Sequence, residues 1–428
     1  MAIGSQNFRE ITTRILQSRL VQNIGALAGL QTAGYFITLL TLPYLTRVLG
    51  PDEWGRVVWM QVILSYFTLL SDWGFSWSGT LKIARLRNDR AALSKSFFAG
   101  WAVQWGLCAV AVCVLLGLTA FAPFFVQFRI YAFYGIGVIV AGVLFPTWML
   151  TGLERIREVA LGQLVIRAGS VPLIFFFVRS PGDGALVIAI SALTGLIAGA
   201  AILLWMRKNL TLDWHWPRLC QIRIEFQEST AIFLSHVWIM LYTTLTPTIL
   251  GLIAGAANVG HYVLADRIRM TVQSLIAPVS QTLFPRMSYL FVHDRPAALL
   301  LLRYSGRLVV FISLLASFTL FLLSKPIIFI AAGPNYHDAV AILRWLSPLP
   351  LIVAVSNLLG VQIMLAQGMI IEFNRVITFG GITSFVLIVP LITWMGPTGA
   401  AINTLIIEYI ITISFFYNVF MSTTRRTT

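Results

Sequence analysis

Three charged side chains stand within one turn of an otherwise apolar stretch, residues 261–285. They are Asp266, Arg267 and Arg269. A guanidinium forms paired hydrogen bonds with carboxylates and phosphates, so these arginines are candidates for binding an anion. Arg269 also follows Asp266 by three residues, a spacing at which the two charges can neutralise each other. The sequence leaves both interpretations open.

The polar residues of this stretch recur every seven positions, which places them in rows along a helix. One row holds Asp266, Gln273 and Ser280, and the adjacent row holds Arg267, Ser274 and Gln281, with Arg269 expected between the rows. An unsatisfied polar group in hydrocarbon costs several kcal/mol, so this side of the helix must face other helices or water.

A second polar stripe follows the pattern i, i+4, i+7, i+11 at Gln61, Ser65, Thr68 and Asp72. The two stripes together predict a polar cavity in which cations match or slightly exceed the acids, and phosphate is the natural partner of arginine there. The expected substrate-binding residues are Arg47, Arg267, Arg269, Arg344, Asp72, Gln61 and Gln273. Asp266 and Glu408 are the candidates for binding a coupling ion, although Glu408 is equally well explained as a hydrogen-bonded structural acid.

The elements that carry these residues are membrane-spanning helices. Of the 428 residues, 58% are hydrophobic and only 11% are charged, and continuous apolar runs of about 20 residues recur along the chain. These features predict an all-α polytopic membrane protein rather than a barrel. We expect about twelve spans, near residues 24–46, 57–79, 97–125, 131–152, 159–178, 185–206, 229–254, 259–284, 307–331, 339–366, 372–395 and 397–420.

The basic residues indicate the orientation. The net charge is +14, but most of the 30 Lys and Arg residues fall in short gaps on one side of the expected spans, so the charge does not indicate nucleic-acid binding. By the positive-inside rule both termini are cytoplasmic. Residues 1–20 have the pattern of a basic amphipathic helix lying at the membrane surface.

Weak internal echoes predict two lobes of six helices around a central cavity. Gly50 and Gly55 lie five apart after the first span, and Gly255 and Gly260 repeat this spacing after the seventh. The expected division is an N-terminal lobe at 1–208, a cytoplasmic linker at 209–228 and a C-terminal lobe at 229–428. Five tryptophans near span ends are typical of an interfacial aromatic belt, or else of stacking on sugar rings: Trp54, Trp59, Trp73, Trp77 and Trp148.

Six motifs resemble the polysaccharide-export branch of the MOP transporter superfamily, and within it the Wzx-type O-antigen flippases. They are PYLTRVLGPDEWG (43–55), SDWGFSWSGTLKIAR (71–85), FPTWMLTGLER (145–155), YVLADRIR (262–269), LFPRMS (283–288) and AGPNY (332–336). They occur in the family's order over nearly the whole chain. By this resemblance Arg47, and Arg267 or Arg269, match positions where the superfamily places basic residues, and Asp72 matches the acid before a Gly-Phe pair.

The resemblance implies a non-enzymatic flippase that works by alternating access in the bacterial inner membrane. Its substrate would be an undecaprenyl-pyrophosphate-linked oligosaccharide, and H⁺ or Na⁺ would drive it, since the chain has no P-loop. No cofactor or metal is expected, and the implied partners are a polysaccharide polymerase and a chain-length regulator. Two alternatives remain: a cation-coupled multidrug exporter of the same superfamily, which needs an acidic cavity, and a membrane-embedded polymerase or glycosyltransferase, which needs a large outer loop.

Overall fold

The computed structural model describes residues 19–210, 212–213, 216–274 and 277–424, and these form helices and turns without a β-strand. The expected amphipathic segment at 1–20 lies almost entirely outside the described residues. The side chains of Ser280 and Gln281, the last members of the two polar rows, also lie outside them. The chain is therefore all-α, as its composition predicts.

The described residues of the first half of the chain form eight α-helices and one 3₁₀ turn, Pro181–Asp183. The helices are α1 (Arg19–Asp72), α2 (Phe75–Leu86), α3 (Arg90–Phe121), α4 (Pro123–Val126), α5 (Arg129–Leu144), α6 (Thr147–Gly152), α7 (Ile156–Phe177) and α8 (Gly184–Asn209).

The second half, over the ranges that the structure describes, contains eight further α-helices. They are α9 (Leu219–Ala254), α10 (Ala256–Ser274), α11 (Ala277–His293), α12 (Arg295–Leu322), α13 (Ser324–Ala332), α14 (His337–Leu346), α15 (Leu349–Asn357) and α16 (Ile370–Thr424). A 3₁₀ turn at Pro334–Tyr336, a π-helical segment at Leu358–Met364 and a 3₁₀ turn at Leu365–Gln367 connect the later ones.

Among the described residues, 7 helical stretches are long and apolar enough to cross a membrane. One of them, Ile370–Met421, has 52 residues. At 1.5 Å per residue it would be roughly 78 Å long, more than twice the thickness of a hydrocarbon core. The protein is thus a multi-pass membrane protein, while the number twelve and the cytoplasmic termini stay predictions.

Helix α16 consists of two antiparallel halves that meet at Gly396. That glycine has φ 57° and ψ −136°. Phe373 stacks on Phe415 with ring centroids 5.2 Å apart, and a Cβ added to Gly399 would lie 2.0 Å from the carbonyl oxygen of Leu391. Contacts between residues so far apart in sequence require the chain to fold back, as the two expected spans 372–395 and 397–420 require.

Three Gly-Pro pairs form corners between helices. Gly50, Gly333 and Gly396 all have positive φ, at 73°, 84° and 57°, and a proline follows each of them. The backbone conformation with positive φ and extended ψ is open almost only to glycine, and proline suits the first position of the next helix. The pairs therefore fix where one helix stops and the next one starts.

The chain divides into two compact units. One contains the residues up to Val48 and Met60–Met240, and the other contains Leu49–Trp59 and Leu241–Thr428. The boundaries expected from the sequence, at 208 and 229, stay a prediction. In the structure α8 ends at Asn209 and α9 begins at Leu219, so much of the expected linker is helical.

The repeated glycine spacing has a structural counterpart inside the second unit. Gly50 and Gly255 both have positive φ, and Gly55 and Gly260 both lie where helices touch. A Cβ on Gly55 would lie 1.8 Å from the carbonyl oxygen of Ala256, and a Cβ on Gly260 would lie 2.5 Å from that of Pro51. Only glycine allows backbones this close, which explains why both segments have glycines at the same five-residue spacing.

Aromatic packing fills the core of the first unit. Trp148 is 3% exposed, tilts against Phe75 and Phe97, and donates its Nε1 hydrogen to Gln104 Oε1 at 3.0 Å. An interfacial belt is therefore the wrong interpretation for Trp148, and also for Trp54 and Trp59, each 1% exposed; Trp77, at 67%, fits it. These three indoles pack in the protein interior rather than at the membrane surface, because other helices cover their rings.

Candidate functional site

The site lies on α10, where the charged turn forms an ion pair. The Arg269 guanidinium contacts Asp266 Oδ1 twice, with Nε at 2.8 Å and Nη2 at 2.7 Å. Its Nη1 donates to Gln273 Oε1. Asp266, Arg269 and Gln273 thus form one chain along a single helix face, and the pairing that the sequence left open is present.

Arg267 lies on another side of α10. Its guanidinium carbon sits 5.0 Å from the centroid of the Trp54 ring, a cation–π contact. Trp54 is 1% exposed, and its Nε1 hydrogen has no acceptor among the described residues. The expectation that Arg269 lies between the two polar rows is wrong, because Arg269 joins the Asp266 row while Arg267 faces Trp54.

The α16 helix brings Glu408 towards the same pair. Glu408 and Tyr262 both act electrostatically on the Arg269 guanidinium. The Tyr262 hydroxyl shares a 3.2 Å hydrogen bond with Thr404 Oγ1, one turn before Glu408. The two acids proposed for ion coupling, Asp266 and Glu408, are therefore neighbours of one arginine.

Arg344 occupies a different environment in the second unit. It lies on α14, is exposed, and donates from Nε to Ser324 Oγ at 3.1 Å. Nothing in its contacts joins it to the Asp266–Arg269 pair. The sequence singles out Arg344 only as a basic residue within the expected span 339–366.

The expected polar stripe of the first unit lines a cavity. Gln61, Ser65 and Thr68 face a partly open cavity of about 170 Å³, and Ser191 of α8 borders it as well. The fourth stripe residue, Asp72, instead ends α1 and accepts hydrogen bonds from Ser76 Oγ at 2.8 Å and Ser76 N at 3.3 Å. Asp72 therefore has a local structural role.

Arg47 also belongs to the first unit, near the end of the first half of α1, and its side chain is exposed. The structure thus groups the candidate residues as Asp266, Arg269, Gln273 and Glu408 together, with Arg267 on the opposite side of the same helix and Gln61 in the separate cavity. Within the described ranges, no three His, Cys, Asp or Glu side chains come close enough together to hold a metal ion.

A partly buried ionic cluster at the ends of α2, α3 and α9, in which only the Glu225 carboxylate is well buried, was not predicted from the sequence. Lys82 Nζ lies 2.8 Å from Glu225 Oε1 and 2.6 Å from Glu228 Oε2, and Ser96 Oγ donates to Glu225 at 2.9 Å. Burial disfavours the charged amine, but the two carboxylates outweigh it and raise the pKa of Lys82 above its usual value. The partners lie far apart in sequence, so no local spacing could have revealed them.

Tight backbone contact holds α9 beside the same cluster. Gly74 has φ 78°, and a Cβ there would lie 2.9 Å from the backbone nitrogen of Phe233. Trp73 stacks on Phe226 and Phe233 and donates to Thr230 Oγ1 at 3.1 Å. The first part of α9 is thereby fixed against the N-terminal unit.

Solved transporters share this fold. The chain superposes on a multidrug resistance MATE family transporter of the MOP superfamily with a TM-score of 0.72 and 14% identity, covering 92% of this chain and 96% of that one. It also superposes on the lipid II flippase MurJ with a TM-score of 0.68 and 12% identity, covering 93% and 87%. At these identities the likeness establishes the fold of the MOP superfamily.

Sequence relatives extend the likeness to nearly the full chain. A protein of Escherichia coli (strain K12) named as an O-antigen transporter is 30% identical over 399 residues, which are 92% of this chain and 95% of the relative. A Shigella dysenteriae protein of the same name is 27% identical, covering 92% and 98%. These relatives are transporters, in agreement with a protein that is not an enzyme. Residues 20–291 match the family model described as polysaccharide biosynthesis protein, and the chain belongs to that family.

Proposed function

We propose that this protein flips an undecaprenyl-pyrophosphate-linked oligosaccharide, the O-antigen repeat unit, from the cytoplasmic to the periplasmic leaflet of a bacterial inner membrane. The single observation that carries the proposal is the charged turn of α10, where two arginines and one aspartate stand in the stretch 259–284 that the sequence predicts to span the membrane. Ionisable residues at that depth are costly and are retained for transport or recognition. The family and its named O-antigen transporters support the substrate class.

The chemistry of the substrate matches this turn. A pyrophosphate and many sugar hydroxyls lose their hydration on entering hydrocarbon, at a cost that a wet, cation-lined passage removes. Arginine offers phosphate a planar pair of donors, and the lipid tail can stay in the bilayer. The Arg269 guanidinium is the proposed phosphate-binding group, with Gln273 beside it as a neutral donor, and Arg267 adds a second positive charge on the other side of the helix.

The Asp266–Arg269 pair suggests how an ion gradient drives the cycle. Asp266 Oδ1 occupies two of the Arg269 donors, so a phosphate must displace the carboxylate to reach them. A proton or Na⁺ bound at Asp266 would neutralise that carboxylate and release Arg269 for the substrate. Glu408, the second acid near Arg269, would accept the ion in the alternate state. Alternating access then exchanges ion and substrate between the two sides.

Complementation of a strain that lacks the gene tests the proposal. Arg267→Ala and Arg269→Ala should each reduce surface polysaccharide strongly, by more than any fall in the membrane level of the protein. Arg303→Ala, at an exposed arginine on α12 outside the charged turn, is the matched control and should restore the polysaccharide. Gel analysis of the polysaccharide and immunoblots of membranes are the two measurements.

Two outcomes would count against the proposal. Full surface polysaccharide from both variants would remove the role of the α10 cations. A deletion strain with normal polysaccharide but raised sensitivity to cationic drugs would instead favour the multidrug exporter, whose fold this chain shares. The polymerase and chain-length regulator are proposed as partners because they use the flipped product.

A further inference from the structure

A groove of about 450 Å³ opens on the surface of the second unit, between the two antiparallel halves of α16. Its walls include Glu372, Arg375 and Phe379 from the first half and Ile413 and Tyr417 from the second. On the other side of Arg375 a further concave surface includes Asn374 and Ile382. Neither surface includes a residue of the charged turn on α10, so the groove is separate from the transport site proposed above.

The groove changes from polar to apolar along α16. Glu372 and Arg375 lie near the start of α16, and Phe379 follows Arg375 one turn deeper. From Glu372 to Phe379 the helix rises by about 10 Å, roughly two thirds of the hydrocarbon thickness of one leaflet. A polar mouth followed by an apolar wall of this length fits a headgroup with the first part of an acyl chain.

Two opposite charges stand at the mouth without neutralising each other. Arg375 is exposed, Glu372 is half-buried, and neither forms an ion pair with any residue in the described parts of the chain. They are three residues apart, a spacing at which a helical pair readily forms. A bound group with a negative and a positive charge about one helix turn apart would match both side chains.

We propose that this groove is a binding site for phosphatidylethanolamine. The Arg375 guanidinium takes the phosphate, the Glu372 carboxylate accepts hydrogen bonds from the primary ammonium, and one acyl chain lies along Phe379 and Ile413. Phosphatidylglycerol offers the phosphate without the cation. Phosphatidylcholine offers a cation that has no N–H donor. The charge pattern of the mouth therefore selects the ethanolamine headgroup over both.

Native mass spectrometry of the purified full-length protein in detergent tests this site with each of the three lipids. Phosphatidylethanolamine should bind about tenfold more tightly than phosphatidylcholine, the effect of one charge-assisted hydrogen bond. Glu372→Gln should remove that preference, and Arg375→Gln should weaken binding of all three lipids. Arg303→Gln, an exposed arginine outside the groove, should leave binding unchanged.

The wild-type protein alone can overturn the proposal, because equal affinity for the three lipids contradicts the headgroup selection. Unchanged phosphatidylethanolamine binding in Arg375→Gln would place the lipid elsewhere on the surface. Phe379→Trp, which fills the groove and keeps both charges, gives an independent test and should weaken binding of all three lipids. Lipid binding is measured without transport, so the result does not depend on the proposed substrate.

Discussion

Replacing Lys82 by methionine tests whether burial decides the strength of ion pairs in this protein. The change removes the cation between Glu225 and Glu228 and keeps the aliphatic stem. The Glu225 side chain is 9% exposed and would keep only the Ser96 hydroxyl as a hydrogen-bond partner. Breaking a buried pair costs about 3–5 kcal/mol, and because Lys82 itself is 30% exposed we expect about 2 kcal/mol.

The protein contains its own control for this substitution. Arg90 lies 2.7 Å from Asp213, as close as the buried pair, but these side chains are 56% and 60% exposed. An exposed pair is worth about 0–1 kcal/mol, so Arg90→Met should change the free energy of unfolding by less than half as much as Lys82→Met. The two substitutions differ in burial and in the number of carboxylates that the cation contacts, so the comparison is made on the Lys82–Glu225 and Arg90–Asp213 couplings.

Double-mutant cycles on the purified protein, unfolded by increasing SDS in mixed micelles, measure both pairs. Lys82→Met with Glu225→Gln should give a coupling energy of at least about 1 kcal/mol, and Arg90→Met with Asp213→Asn about 0.5 kcal/mol or less. Because the pKa of Lys82 is raised, its contribution is present below the usual lysine pKa of about 10.4 and is lost only as the pH rises through the higher folded value. Equal coupling energies for the two pairs at pH 7 would refute the reasoning.

Three further substitutions have defined outcomes. Gly260→Ala places a Cβ 2.5 Å from the Pro51 carbonyl oxygen, so it should destabilise the protein by about 3 kcal/mol or prevent its accumulation. Gly106→Ala, where no atom lies within 4 Å of the added Cβ, is the control and should be tolerated. Immunoblots of membranes compare the levels of the two variants. Asp183→Asn should lower the melting temperature at pH 7, because hydrogen bonds from the Arg179 and Ser180 backbone lower the pKa of Asp183. The stabilisation by the Asp183 carboxylate is present above the usual pKa of about 3.9 and is lost as the pH falls through the lowered folded-state pKa. The melting temperatures of the variant and the wild type should therefore converge in acid. Asp266→Asn should destabilise the protein by about 2 kcal/mol by leaving Arg269 without its carboxylate, and pairing it with Arg269→Met should recover part of that loss in the same SDS titration; simple addition of the two losses would contradict the ion pair.

Local spacing predicted the features that depend on neighbouring residues. The i, i+3 relation of Asp266 and Arg269 made their pairing one of two open interpretations. The five-residue spacing of Gly50 and Gly55 and of Gly255 and Gly260 predicted a two-lobe repeat, which stays a prediction, and it did not predict that the two segments contact each other. Gln61, Ser65 and Thr68 share a face because helical periodicity alone determines it. The family and the helical fold followed from such patterns together with the order of the motifs.

Features that depend on distant residues were not predictable in this way. Trp54 sits near a span end like an interfacial tryptophan, but Arg267, more than 200 residues later, covers its ring. Glu225 looked like part of a solvated linker because its partner Lys82 lies 143 residues earlier in the chain. In both cases the decisive neighbour comes from another helix, and a single sequence carries no record of that proximity.

The length of α9 has a practical consequence for imaging. Its 36 residues give a helix of about 54 Å, well beyond a hydrocarbon thickness of about 30 Å. The end that begins at Leu219 is anchored by Lys82 and by the stacked ring of Trp73, so it should tumble with the membrane-embedded body. A rigid fusion partner spliced just before that end would act as a fiducial marker for electron cryomicroscopy and give particles a feature by which to be aligned.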